Sequence, residues 1–133
     1  MIDKEHGWLL RDDALEWRVG GIPVDPATRT RREEYHWALR HLDIRNQLVL
    51  DAAAGYVPTW HMLPTILANC NYSVVACDWD TRSLQMPPTY GVIRQLADIT
   101  RLPFADKTFD AAVCISTLEH LSVVDATAAA QEL

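Results

Sequence analysis

At 133 residues, with 49% hydrophobic and 23% charged residues, the chain has the length and composition of one globular domain. A net charge of −6 argues against a broad nucleic-acid-binding face, and no apolar run approaches the roughly 20 residues that a membrane-spanning helix needs. The cysteines Cys70, Cys77 and Cys114 are odd in number, and the last two sit in apolar runs. That usage fits buried free thiols in a reducing compartment, and Met1–His6 lacks the layout of a signal peptide, so the cytoplasm is the expected location.

Residues 1–27 read as an N-terminal extension, with residues 28–133 as the main domain. Trp8, Leu9, Leu10, Leu15, Trp17 and Val19 predict a short helix over about 10–18, which Gly20-Gly21-Ile22-Pro23 then breaks. Trp8 and Trp17 are expected to pack on the domain; a lid over a ligand is the second reading. Thr30-Arg31-Arg32-Glu33 has the form of a capping box opening a helix to about His41, with Tyr35, Ala38, Leu39 and Leu42 as its core stripe. Arg29–Arg32 is then a solvated helix start rather than a nucleic-acid contact. His36 and His41, five apart, do not make a metal pair.

A strand follows over 47–51, then a loop over 52–62 and a helix over 63–70 that Pro64 opens. Tyr72–Cys77 is a second strand ending at Asp78, and Asp80–Leu84 a helical turn stopped by Pro87-Pro88. Gly91–Leu96 leads as a third strand to Asp98. After a Leu-Pro-Phe turn at 102–104, residues 109–116 form a fourth strand, and helix resumes near Glu119. Strands alternating with helices over short links predict an α/β fold with a doubly wound parallel sheet.

Ligands of such sheets bind beyond the carboxyl ends of the strands, where Asp51, Asp78 and Asp98 are expected. A dinucleotide site sets a glycine-rich turn against a pyrophosphate and keeps its acidic residue for the end of the second strand. Here the first strand also ends in Asp51, and its loop has one glycine, so a nicotinamide dinucleotide fits poorly. A ligand that is cationic or neutral on this side and carries a ribose fits better. S-adenosylmethionine has a positive ammonium and sulfonium, a ribose diol and no phosphate.

From Val49 to Leu121 the chain resembles the class I S-adenosylmethionine-dependent methyltransferases, in particular their small-molecule type (type 11-like). Leu48-Val49-Leu50-Asp51-x-x-x-Gly55 is similar to their first motif and Val74–Asp78 to the second. Ala97-Asp98-Ile99-x-x-Leu102-Pro103-Phe104-x-Asp106-x-x-Phe109-Asp110 is similar to the third and fourth, and Cys114–Leu121 completes the match. The resemblance implies a Rossmann-like fold and methyl transfer to a small-molecule acceptor. It implies that Asp51, Ala53 and Gly55 border the methionine part of the cofactor, that Asp78 accepts both ribose hydroxyls and that Trp79 packs on the adenine. Asp98 and the Ile99 amide would take the adenine edge, Ser116 would line the methyl-transfer site, and His120 is the candidate base.

Two positions depart from that pattern. Ala53 stands where the family usually has glycine, and the loop carries the extra residues Tyr56–Met62, of which Trp60 and His61 either enter the pocket or pack the loop down. The family fold continues past its fourth helix, whereas this sequence stops at Leu133. The expectation is therefore a sheet truncated after about four strands, an N-terminal fragment of a longer enzyme, with strand 109–116 as an exposed edge prone to self-association. A non-catalytic cofactor-binding module of the same fold is the alternative.

Overall fold

The computed structural model describes residues 2–3, 8–9, 17–19, 22–24, 29–42, 47–57 and 61–133. The expected helix over 10–18 is corrected at its end: Trp17 and Arg18 are extended. Two antiparallel pairs occupy this region, β1 (Ile2–Asp3) with β2 (Trp8–Leu9), and β3 (Trp17–Val19) with β4 (Ile22–Val24). Val19 pairs with Ile22 across Gly20-Gly21, a two-residue glycine link between β-branched residues that is a hairpin signal rather than a mere breaker. Residues 10–16 lie outside the described residues, as do the side chains of Trp8 and Trp17 on which the packing and lid readings rest.

Helix α1 (Arg29–His41) begins one residue before the expected cap Thr30 and ends where expected. Next come β5 (Leu48–Ala52), α2 (Leu63–Asn69), β6 (Ser73–Asp78), a 3-10 turn (Thr81–Gln85) and β7 (Val92–Leu96). The chain finishes with β8 (Ala111–Val113), a 3-10 turn (Leu118–His120) and α3 (Val123–Glu132). Strands β5 to β8 form one parallel sheet in the order β7-β6-β5-β8, so the direction of winding reverses between β5 and β8. That reversal opens a crevice at the carboxyl ends of these two strands.

Alternation along the strands divides the core between two faces. Val49 and Val74 join Tyr35, Leu39, Leu63, Ile66 and Leu67 of α1 and α2 on one face. Leu50, Ala52, Val75 and Cys77 join Ala97, Ile99 and Ala129 of α3 on the other. Alternation also puts Asp51 on the α1 face with Val49, and this placement governs its chemistry.

The fourth strand is shorter than the expected 109–116. At its start the Asp110 carboxylate accepts from the Leu48 amide (2.9 Å) and the Asp110 amide donates to the Leu48 carbonyl (2.9 Å), which pins the register before the ladder begins. At its end Ser116 turns into the left-handed region (φ 49°) and terminates the extended run.

Candidate functional site

Above the crevice lies a cavity of about 420 Å³, within the range typical of small-molecule sites. Ala53 and Gly55 reach it from the loop after β5, Asp78 and Trp79 from the end of β6, Asp98 and Ile99 from beyond β7, and Ser116 and His120 from beyond β8. The strand ends thus bring together residues spread over 68 positions of sequence, from Ala53 to His120.

The loop after β5 is held by its own amides. Ala54 N donates to the Cys77 carbonyl (2.8 Å) and Gly55 N to Asp78 Oδ2 (2.8 Å). Tyr56 N (3.0 Å) and Val57 N (2.8 Å) both donate to Nδ1 of His61. Four consecutive backbone donors are therefore committed within the protein. A phosphate-cradling loop needs such donors free and aimed at the ligand.

Asp78 is buried, and its second oxygen, Oδ1, accepts from Asp80 N (2.9 Å). An ionised carboxylate has about four acceptor positions, so two amides leave about two for a ligand. Asp98 is an exposed turn residue: its Oδ1 accepts from Thr100 N (2.8 Å) and Thr100 Oγ1 (2.7 Å), and these bonds hold its pKa below the usual carboxylate value. Its Oδ2 carries neither of these bonds. The indole of Trp79 is 80% exposed on the cavity wall, a large apolar ring open to a ligand.

Two non-glycine residues of this wall, Ala53 (φ 60°) and Ser116 (φ 49°), adopt left-handed backbone conformations at the ends of neighbouring strands. Each costs on the order of 1–2 kcal/mol, strain of the kind that collects at binding sites. Ala53 keeps the bend that a glycine would make. Ser116 Oγ donates to Oε1 of Glu34, and Oε2 of Glu34 pairs with Arg31 Nη1 (3.1 Å), so α1 is tied to the mouth of β8.

Asp51 lies elsewhere. It is 3% exposed and lines a separate 10 Å³ cavity with Arg31, Tyr35, His61 and Leu63. Burial, opposed by the Arg94 guanidinium, pushes its pKa up to about 8, so at neutral pH this carboxyl is largely protonated. Of the three carboxyl groups expected on one rim, Asp78 and Asp98 line the large cavity and Asp51 does not. Asp51, Ala76 and Arg94 are in register on one sheet face, and the small Ala76 separates the carboxyl from the guanidinium.

Because the folded pKa of Asp51 lies above its unfolded value of 3.8, the native state holds the extra proton between these values. Its contribution to stability is therefore greatest below the unfolded value and is lost as pH rises to about 8. Asp51→Asn is expected to flatten that part of the pH dependence, as thermal melts across the interval will show.

His120 stands on the cavity rim, its side chain 76% exposed and its Nε2 4.0 Å from Glu119 Oε1. The cysteines are free, and burial pushes Cys77 up to about 11 and raises Cys114, so these thiols are poor nucleophiles. Among the described residues no cluster of three side chains suits a metal ion, and no helix is long and apolar enough to cross a membrane.

All the expected site residues except Asp51 line the one cavity. Sequence reasoning gave no site role to Tyr56, Ala97, Thr100, Thr117, Leu121 and Asp125 on its wall, nor to Glu34 behind Ser116. Leu121 stands within the last motif quoted above and Tyr56 within the extra loop residues, whereas no local pattern marks Asp125 or Glu34, which the tertiary fold brings in. His61, for which two roles stood open, does both: it lines the cavity and packs the loop, while Trp60 lies outside the described residues.

Comparison with known proteins bears on this arrangement. A search of curated proteins gave no match. Among solved structures, one described as a methyltransferase from an antibiotic biosynthesis pathway of Anabaena variabilis superposes with a TM-score of 0.61 at 18% identity. The match covers 71% of this chain and 38% of that one. Another, described as an S-adenosyl-L-methionine-dependent methyltransferase of Methanococcus maripaludis, gives a TM-score of 0.60 at 16% identity, over 74% of this chain and 47% of that one. The chain therefore spans less than half the length of either, and at these identities the likeness shows the fold. The family profile described as "Methyltransferase domain" matches residues 50–133, from the middle of β5 through α3. With its open Rossmann-like sheet, the chain belongs to this methyltransferase domain family.

Proposed function

We propose that the 420 Å³ cavity binds S-adenosylmethionine and that the protein transfers its methyl group to a small-molecule acceptor. The observation that carries this reading is the pairing of Asp78 with a loop whose four amides are already committed. That combination suits a ribose diol beside a group without phosphates, and it disfavours a dinucleotide. Asp78 would take the two ribose hydroxyls on its remaining acceptor positions, Trp79 would cover the adenine, and Asp98 Oδ2 with the Ile99 amide would meet its edge. Ala53 and Gly55 would border the methionine part. Asp51, being neutral and in a separate cavity, supports the loop from below.

S-adenosylmethionine supplies a methyl group already made electrophilic by the sulfonium. The residues of this chain then have to align the acceptor and exclude water rather than generate a strong nucleophile. Ser116, oriented by Glu34, would line the place of transfer, and His120 would take a proton from a hydroxyl acceptor.

Calorimetric titration of the 133-residue chain with S-adenosylhomocysteine and, separately, NAD tests the reading. Saturable binding of the first and none of the second is expected. Preference for NAD would replace methyl transfer with a redox function, and binding without turnover on any acceptor would favour the non-catalytic module.

A further inference from the structure

The loop after β5 closes on a single imidazole. Nδ1 of His61 accepts from Tyr56 N (3.0 Å) and Val57 N (2.8 Å), while His61 N donates to the Val57 carbonyl (2.8 Å). The same ring lies against Gly55, where an added Cβ would come within 2.3 Å of it. Gly55, Tyr56 and His61 all line the cavity. A nitrogen that accepts two amides carries no proton, so the ring proton resides on Nε2. Protonation of Nδ1 would set a donor against two donors.

We propose that His61 is the positioning residue of the cofactor loop, holding residues 55–57 in the binding geometry only while its imidazole is neutral, so that cofactor affinity falls on acidification. The affinity consequence rests on the S-adenosylmethionine reading of the cavity; the latch between ring and amides does not.

The surroundings of the ring agree. Arg31 and Tyr35 approach from α1, Asp51 from β5, Asp78 from β6 and Arg94 from β7. Burial, Arg31 and Arg94 disfavour a further cation there, and together they outweigh Asp78, lowering the pKa of His61 below 6.5. In linkage terms, a depressed folded pKa gives a latch intact above the unfolded value and lost as pH falls through the folded one.

The test uses the full chain with two variants. His61→Asn offers an amide oxygen near the position of Nδ1 but does not titrate, and His61→Ala removes the acceptor. S-adenosylhomocysteine affinity and the exchange protection of the Tyr56 and Val57 amides are followed from about pH 8 to about pH 4, a range extended below the span over which an ordinary histidine changes charge. In the wild type, affinity is expected to fall about tenfold per pH unit below the folded pKa of His61, with Tyr56 and Val57 losing protection in parallel. His61→Asn should restore binding and keep both readouts flat, whereas His61→Ala binds weakly at every pH. A His61→Asn profile that matches the wild type overturns the proposal, and so do amides whose protection ignores pH. Amides that titrate in a protein no variant of which binds S-adenosylhomocysteine support the latch and overturn the cofactor reading instead.

Discussion

Asp78→Ala is expected to lower the affinity for S-adenosylhomocysteine at least about 100-fold. A hydrogen bond to a charged group contributes about 1.5–3 kcal/mol and each 1.4 kcal/mol is tenfold, so even one ribose bond at the upper end, or two at the lower, reaches that figure. The substitution has a second effect. Gly55 N, now bonded to Oδ2 at 2.8 Å, and Asp80 N, bonded to Oδ1 at 2.9 Å, both lose their acceptor. The loop then loosens as well, and a buried unpaired amide costs about 1–3 kcal/mol of stability. Calorimetry measures the affinity, and a thermal melt on the same sample separates binding loss from unfolding. Asp78→Asn keeps one oxygen acceptor and should fall between the two. A folded Asp78→Ala protein that binds within threefold of wild type would remove Asp78 from the site.

Gly55→Ala carries the largest expected stability change. Gly55 has φ 78°, and a β-carbon there would sit 2.3 Å from the His61 ring. The left-handed backbone costs about 1–2 kcal/mol for an L-residue, and overpacking typically adds about 1–3 kcal/mol. The sum, about 2–5 kcal/mol, is a large fraction of the stability of a small domain and should lower Tm by roughly 6–20 °C. Ala53, two residues earlier, shows that the backbone part alone is tolerated in this loop. Hence the steric part is the decisive one. Repeating the change in a His61→Ala background isolates it: the clash vanishes and only the backbone cost remains. Equal destabilisation in both backgrounds would mean that the ring is not what Gly55 makes room for.

The contrast between Ala53 and Gly55 marks how far the sequence could be read. Both lie in a recognisable small-residue loop, yet the need for glycine at the second position comes from a ring six residues further on, folded back over it. Ser116 and Glu34 make the same point at longer range. They are 82 positions apart, joined because α1 crosses the mouth of β8. Nothing in the periodicity of α1 distinguishes Glu34 from a solvated helix residue.

Sequence alone determined the succession of strands and helices from α1 to α3, because apolar periodicity, prolines at helix starts and turn residues act locally. It also determined that Asp78 and Asp98 stand at or beyond strand ends, since a parallel strand buried on both faces reads as an apolar run bounded by polar residues. Tertiary structure decided the rest. The antiparallel pairing of Trp17–Val19 with Ile22–Val24 is a cross-strand contact, which a single-strand pattern does not specify. Asp51 reads like the other two carboxylates, but strand alternation turns it under α1, and burial there makes it neutral rather than part of an anionic rim. For the same reason, the character of the loop after β5 was settled only in the fold. Whether its amides face a phosphate or are already bonded depends on Asp78 and His61 arriving beside them from later in the chain.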